Sequence, residues 1–165
     1  MTGAQHQACL LLGSNIQAEQ NLPLAVSLLE QEVTVLQISS IWETPSVGSS
    51  GPDFLNAALL VSTSWEAEGL KLQVLRPLEA RMGRVRSRDK NAPRTIDLDI
   101  VLFDGRLMDP GFWRHAYRAI PVAEIFPDYE FSPGEKLKEA AARLVRATPI
   151  RLRSDISFHH DPQGR

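Results

Sequence analysis

The chain lacks the features that would place it in an oxidised or membrane-bound class of protein. It has a single cysteine, Cys9, so no intrachain disulfide can form, which indicates a reducing compartment. No apolar run approaches the ~18 residues of a membrane span, and the N-terminal stretch lacks the basic region of a signal peptide. We therefore expect a cytoplasmic protein with no membrane partner.

The chain also lacks an excess of basic residues. Its 18 Lys and Arg against 20 Asp and Glu give a formal net charge of −2, which argues against a general nucleic-acid-binding protein. There is no G-x-x-x-x-G-K-[ST] motif and no Cys/His cluster, so neither a P-loop nor a zinc-type site is expected. Any anion site must come from a local cluster of cations.

What is present is a regular succession of apolar strands and amphipathic helices. Strands are predicted at 8–13, 33–42, 54–63 and 95–103. One helix is predicted from Asn21, with Pro23 in its first turn, and a second over 66–82, where Pro77 should kink it. The order β-α-β-β-α-β predicts an α+β fold, a ferredoxin-like sandwich.

The C-terminal part of the sequence predicts one more helix, at "SPGEKLKEAAARLV". Ser132 and Glu135 would form a capping box, with Pro133 at the first helical position. The tail 149–165 shows no period and is left unassigned. No repeat or linker divides the chain, so residues 1–165 are predicted to form a single domain.

The segment "TIDLDIVLF" places two aspartates in an otherwise apolar strand. Because strand side chains alternate, Asp97 and Asp99 share a face with Val101, while Leu98 and Leu102 share the apolar face. Carboxylates about 6.5 Å apart repel each other unless a cation offsets their charge. Mg²⁺ prefers such oxygens, so the pair is a candidate metal site, although a solvated strand face would show the same pattern.

Six cations lie in the fourteen residues before this strand: Arg81, Arg84, Arg86, Arg88, Lys90 and Arg94. Arginines beside metal-binding carboxylates are typical of a polyphosphate site, because guanidinium groups bind phosphate oxygens through paired hydrogen bonds. A solvated basic loop, or cations at a helix C-terminus, would also explain them. RNA binding is disfavoured, since an RNA-binding sheet presents aromatic side chains rather than an acidic pair.

A second candidate site follows the loop "TPSVGSSGP". Phe54 and Asn56 share one face of the third predicted strand. An aromatic ring and a carboxamide suit a flat heterocycle with amide edges. Taken alone, a packed Phe and a strand-capping Asn are the preferred explanation of the two residues.

Five segments together resemble a known family. In order, over about residues 8–145, "LLLGSN", "WETPSVGSSGPDFLNAA", "LEARMGRVR", "APRTIDLDIVLF" and "IPVAEIFPD" are similar to 6-hydroxymethyl-7,8-dihydropterin pyrophosphokinases of folate biosynthesis. The resemblance implies a ferredoxin-like fold and transfer of the β,γ-diphosphate of ATP to a reduced pterin, with release of AMP. It implies two Mg²⁺ ions as cofactor and ATP as co-substrate. We expect a monomer whose partners are these small molecules, with no nucleic acid.

The resemblance also assigns site residues. The catalytic set is Arg84, Arg94, Asp97 and Asp99, with the two aspartates as metal ligands. The pterin-binding set is Thr44, Pro45, Val47, Phe54, Asn56 and Tyr117. The nucleotide-binding set is Glu79, Arg84, Arg86, Arg88, Arg94, Ile100 and His115.

The sequence departs from the family on the nucleotide side. After Met108 the family has a further nucleotide-contacting segment, whereas "DPGFWRHAY" follows here and is several residues shorter. His115 falls where the family tends to have Arg, and Trp113 or His115 is a candidate replacement for the lost adenine contact. We predict weaker, less selective nucleotide binding. The alternatives are a divergent pterin-binding relative with another phosphate donor or low activity, and an RNA- or partner-binding module.

Overall fold

The computed structural model describes residues 3–46, 51–85, 88 and 93–158. Its strands are β1 (His6–Ser14), β2 (Thr34–Ile38), β3 (Trp42–Thr44), β4 (Phe54–Thr63), β5 (Asp97–Phe103), β6 (Arg106–Leu107), β7 (Glu130–Ser132), β8 (Glu135–Lys136) and β9 (Arg151–Leu152). Its helices are α1 (Ala18–Leu29), α2 (67–81), α3 (Ala116–Ile125) and α4 (Leu137–Ala147), with a 3₁₀ turn at Phe112–Arg114. None of these helices is long and apolar enough to cross a membrane.

One antiparallel sheet organises the chain. Its strand order is β6-β5-β1-β4-β3-β9, and β2 also pairs with β4. The predicted strand 33–42 is two strands, because residues 39–41 break the ladder between β2 and β3. With β2 and β3 on the same side of β4, the ferredoxin-like α+β prediction is confirmed.

Helices cover both faces of this sheet. Side chains of α1 and α2 pack on the face of Leu10 and Leu12, which we call the first face. Side chains of α3 and α4 pack on the face of Leu11 and Ala58, which we call the second face. The chain therefore buries two apolar cores, one on each side of the central strands.

A β-bulge in β5 changes which face its residues occupy. Leu10 pairs with Ile100 and Cys9 with Leu102, so Val101 is an extra residue opposite β1. Val101 and Leu102 both pack on the second face, and Leu98 packs on the first. The prediction that Leu98 and Leu102 share a face is therefore wrong, because alternation is shifted at the bulge.

Two predicted helices differ from their expected forms. Helix α1 begins at Ala18, and the Asn21 side chain donates to the Ile16 carbonyl (2.6 Å) from within the helix. Helix α2 consists of Ala67–Gly69, a π-helical segment Leu70–Leu75 and Arg76–Arg81. The wider π-turn accommodates the ring of Pro77, which would clash with a carbonyl of the preceding α-helical turn.

The predicted capping box is wrong. Ser132 and Glu135 lie in β7 and β8, which form a hairpin whose turn contains Gly134 at φ 79°. Helix α4 begins after this hairpin, at Leu137. Part of the unassigned tail is ordered, because β9 pairs with β3.

Candidate active site

The site is built on the second face of the sheet, around a residue without a side chain. Gly13 of β1 pairs with Asp97 of β5 on one side and with Asn56 of β4 on the other. Directly paired residues share a face, and strands lie about 4.8 Å apart, so the Cα atoms of Asp97 and Asn56 are about 10 Å apart. A Cβ atom on Gly13 would lie 3.1 Å from Asn56 Oδ1, so glycine leaves open the floor between the two residues.

The carboxyl groups of Asp97 and Asp99 differ in their surroundings. Asp97 accepts a hydrogen bond from Arg94 Nη1 (2.8 Å) and lies 3.6 Å from Arg84 Nη1. Burial, and then the charge of Asp97, raises the pKa of Asp99 to about 6. A carboxylate whose ionised form is destabilised in this way favours a nearby cation.

The described residues contain no group of three or more His, Cys, Asp and Glu side chains that could hold a metal. A cation at Asp97 and Asp99 would therefore take its remaining ligands from water or a phosphate. This division of ligands is typical of Mg²⁺, which retains several waters and binds phosphate oxygens. The donor set fits Mg²⁺.

The two predicted catalytic arginines are held by the backbone around them. Arg84 Nη1 donates to the Ile96 carbonyl (3.2 Å), just before β5. Arg94 exchanges hydrogen bonds with Asn15, since its N–H donates to Asn15 Oδ1 (2.7 Å) and its carbonyl accepts from the Asn15 N–H (3.1 Å). Both guanidinium groups are thereby directed to Asp97. Arg88 is exposed, and Arg86 lies outside the described residues.

Glu79 is buried between α2 and β5. Its Oε2 accepts the Leu98 N–H (2.8 Å), and its Oε1 accepts from Arg76 Nη1 (2.9 Å). Arg84 also donates its N–H to the Glu79 carbonyl (3.0 Å). Glu79 therefore joins the helix to the strand that carries the aspartates.

The predicted pterin-binding residues of β3 and β4 lie on the same face of the sheet, across β1 from Asp97. Asn56 is buried, and its Nδ2 donates to Thr44 Oγ1 (2.9 Å). Half-buried Phe54 pairs with Thr44 across the sheet. Tyr117 belongs to α3, whose layer covers this face. Pro45 is exposed after β3, and Val47 lies outside the described residues.

A cavity of about 370 Å³ opens beside β5. Its lining residues are Ala67, Glu68, Lys71, Leu75, Arg76, Leu98, Asp99, Ile100, Met108, Asp109 and Arg118. The Leu98 N–H faces the open edge of β5 towards Glu79, and Ile100, two residues further on, faces the same edge. The cavity thus offers backbone groups at its edge, a carboxylate from Asp99 and three cations.

The candidate replacements for an adenine contact do not line this cavity. The Trp113 ring stacks on Phe131, with centroids 4.8 Å apart at 19°, and packs on the second face. His115 is exposed at the N-terminus of α3, with its ring centroid 5.6 Å from that of Tyr117.

Sequence reasoning missed Asn15, Arg76 and Arg118. Asn15 is 4% exposed and also donates to the Pro52 carbonyl (3.3 Å), so it joins the segments that lead to Phe54 and Asp97. The motif "LLLGSN" pointed to this stretch, but the partners of Asn15 are 37 and 79 residues away. No sequence pattern marked Arg118, because its contact with Asp109 and the cavity that it lines form only in the folded chain.

Comparison with known proteins gives consistent results. The family model described as 7,8-dihydro-6-hydroxymethylpterin-pyrophosphokinase (HPPK) matches residues 9–127. The 2-amino-4-hydroxy-6-hydroxymethyldihydropteridine pyrophosphokinase of Methylorubrum extorquens is 36% identical over 84% of this chain and 93% of the relative. The protein of the same name from Bacillus subtilis is 37% identical over 74% of this chain and 80% of its own length.

Solved structures share the fold. A crystal structure of Plasmodium falciparum HPPK-DHPS has a TM-score of 0.69 at 13% identity, covering 88% of this chain. The match spans 46% of that solved chain, so this chain corresponds to about half of it.

Proposed function

Because the chain belongs to the 7,8-dihydro-6-hydroxymethylpterin-pyrophosphokinase family, we propose that it transfers diphosphate from ATP to 6-hydroxymethyl-7,8-dihydropterin and releases AMP, a step of folate biosynthesis. The observation that carries the proposal is the arrangement across Gly13. Asp97 on one side and Asn56 on the other share one sheet face, about two strand spacings apart. A phosphate site and a heterocycle site can therefore meet over this floor.

The pterin occupies the Asn56 side. The hydrogen bond from Asn56 Nδ2 to Thr44 fixes the carboxamide, so that Oδ1 and the second N–H can pair with the amide edge of the pterin. Phe54 and Tyr117 supply aromatic surface for its two faces. The segment with Pro45 and Val47 adds backbone groups.

The triphosphate occupies the Asp97 side. Asp97 and Asp99 would hold two Mg²⁺ ions, which would supply positive charge that neutralises the phosphates. Arg84 and Arg94, already directed to Asp97, bind phosphate oxygens, and Arg86 and Arg88 lie in the segment between them. Ile100, which lines the cavity at the open edge of β5, offers backbone groups to the base.

The chemistry requires little covalent work from the protein. The hydroxymethyl oxygen attacks the β-phosphorus and forms a new P–O bond, while the bond from that phosphorus to the α-phosphate oxygen breaks. AMP leaves with the electron pair, and the hydroxyl proton passes to solvent. The protein groups contribute by positioning the two substrates in line and by offsetting charge.

One incubation tests this function. Mg-ATP and the reduced hydroxymethylpterin are mixed with the protein, and the nucleotide products are separated. We expect AMP in an amount equal to the pterin diphosphate. ADP would indicate transfer of a single phosphoryl group and contradict the proposal, as would the absence of either product.

A further inference from the structure

The cavity beside β5 contains cations that the assignment above does not use. Arg84 and Arg94 approach Asp97, whereas Lys71, Arg76 and Arg118 line the cavity with Asp99. Arg76 is already engaged by Glu79 (2.9 Å) and lies 3.5 Å from the Leu98 carbonyl, and Lys71 is exposed. Arg118 remains as a partly buried cation on the cavity wall.

Arg118 is held in a fixed direction. Its Nη1 donates to Asp109 Oδ2 (2.7 Å), and its Cζ lies 5.1 Å from the centroid of the Tyr117 ring. Its side chain is 29% exposed, so the guanidinium is anchored but still reachable. An arginine has five N–H donors, and this anchoring uses one nitrogen, which leaves the others for a ligand.

Arg118 also shares a cavity with the aspartate pair. Its side chain and that of Asp99 both line the cavity, so Arg118 borders the predicted metal site. An anion bound between Asp99 and Arg118 would lie at the cavity end of the phosphate site, on the far side of the aspartates from Arg84 and Arg94.

We propose that Arg118 binds the α-phosphate of the nucleotide, the phosphate that leaves with AMP. This inference rests on the proposed function. When the bond between the β-phosphorus and the bridging oxygen breaks, negative charge increases on the α-phosphate, and a cation there stabilises the leaving group. Asp109 belongs to the short connection after Met108, so the segment that lost family contacts supplies the anchor of this arginine.

The test compares two nucleotide ligands that differ by this phosphate. Affinities of AMP and adenosine are measured by NMR shift titration, which follows millimolar binding, in the wild type and in Arg118→Met. We expect the wild type to prefer AMP by about tenfold or more, as for a charge-assisted hydrogen bond. In the variant this preference should fall to about twofold or less, with adenosine affinity unchanged.

Arg143→Met is the matched control, because Arg143 is an exposed arginine that pairs with Glu135 at 3.4 Å. It should keep the wild-type preference. If Arg118→Met does not fold, Asp109→Asn replaces it, and releasing the guanidinium should reduce the preference about threefold or more.

An unchanged preference in these variants would overturn the role of Arg118. Equal losses of AMP and adenosine affinity would also overturn it, since they indicate a structural effect. A wild type that does not distinguish AMP from adenosine would do the same. The outcome is independent of turnover: failure to produce AMP from ATP would reject the proposed reaction and leave this comparison readable.

Discussion

At the scale of the residue, a missing side chain shapes the site as much as the charged ones do. Gly13 is the midpoint between Asp97 and Asn56, and its φ is not in the left-handed region, so alanine would fit the backbone. The obstacle is steric, because the added methyl would meet Asn56 Oδ1 at 3.1 Å.

We therefore expect Gly13→Ala to weaken pterin binding by about tenfold, or ~1.4 kcal/mol, since the carboxamide must shift. Calorimetry with the pterin measures the effect. Gly3→Ala is the control, because nothing lies within 4 Å of its added Cβ. Equal pterin affinity in the two variants would remove Asn56 from the pterin site.

The aspartates give a second prediction at this scale. Asp97→Asn and Asp99→Asn should each reduce kcat by about a hundredfold or more, because half of the carboxylate charge for Mg²⁺ is lost. Asp99→Asn should raise the Tm without Mg²⁺, since burial and the Asp97 charge penalise ionised Asp99. Wild-type activity in either variant at limiting Mg²⁺ would contradict the metal assignment.

At the scale of the element, the strand pattern was well predicted where alternation is uninterrupted. The bounds of β4 match the prediction for 54–63, because most residues on both of its faces are apolar and buried. Interruptions were missed. The bulge at Val101 depends on the pairing of β5 with β1. Pro77 predicted an irregularity in α2, but not that it would take the form of a π-turn. Ser132 and Glu135 have the spacing of a capping box, but Gly134 favours the hairpin turn.

The C-terminal strand β9, which no sequence pattern predicted, gives a prediction at this scale. Arg153 pairs with Glu19 (2.7 Å), Asp155 (2.8 Å) and Glu43 (3.4 Å), which ties the end of β9 to α1 and to β3. Arg153→Met should lower the Tm by about 3–6 °C and weaken pterin binding, because β3 carries Thr44.

Arg143→Met serves again as the control, since its exposed pair involves α4 and β8 alone. Thermal unfolding and pterin titration are compared for both variants. If Arg153→Met lowers the Tm and leaves pterin affinity intact, β9 supports the fold without positioning Thr44.

At the scale of the whole molecule, the end of the sheet remote from the site is fixed by a histidine between two carboxylates. His6 Nδ1 lies 2.6 Å from Asp104 Oδ2, and Nε2 lies 3.2 Å from Glu66 Oε1. The hydrogen bond with Asp104 raises the pKa of His6 above its usual 6.5. Desolvation opposes this effect, and the charge of Glu66 adds to it. Protonated His6 thus joins β1, the β5–β6 turn and the start of α2.

Stability should therefore depend on pH. The folded state holds this proton more tightly than the unfolded state, so the contribution is complete below about pH 6.5 and is lost as pH rises through the raised pKa. The Tm should fall between about pH 6 and 9, and His6→Gln should flatten that fall. His115→Gln is the control, because the ring of His115 contacts that of Tyr117, whereas the ring of His6 lies between two carboxylates. An equal slope in His6→Gln would reject this role.

The global fold was accessible from the sequence because the order of strands and helices leaves few antiparallel arrangements. The floor of the site was not predicted, because the place of Gly13 between Asp97 and Asn56 depends on the pairing of β1 with both strands. The nucleotide side was less accessible. Asn15 acts through Arg94, which is 79 residues away along the chain. Arg118 acts through Asp109 of the preceding connection, and no periodic pattern encodes that pair.

The bulge at Val101 has a consequence for how this protein can change over time. It separates β5 into a polar segment and an apolar segment whose alternation is out of phase by one residue. Deleting Val101 would leave a regular strand in which Asp97, Asp99 and Leu102 keep the second face, because Val101 is the extra residue opposite β1. Deleting Leu98 would instead make the two aspartates adjacent and turn one of them to the opposite face. Loss of Val101 should therefore persist in a population more readily than loss of Leu98, so chain length in β5 is most constrained between the aspartates.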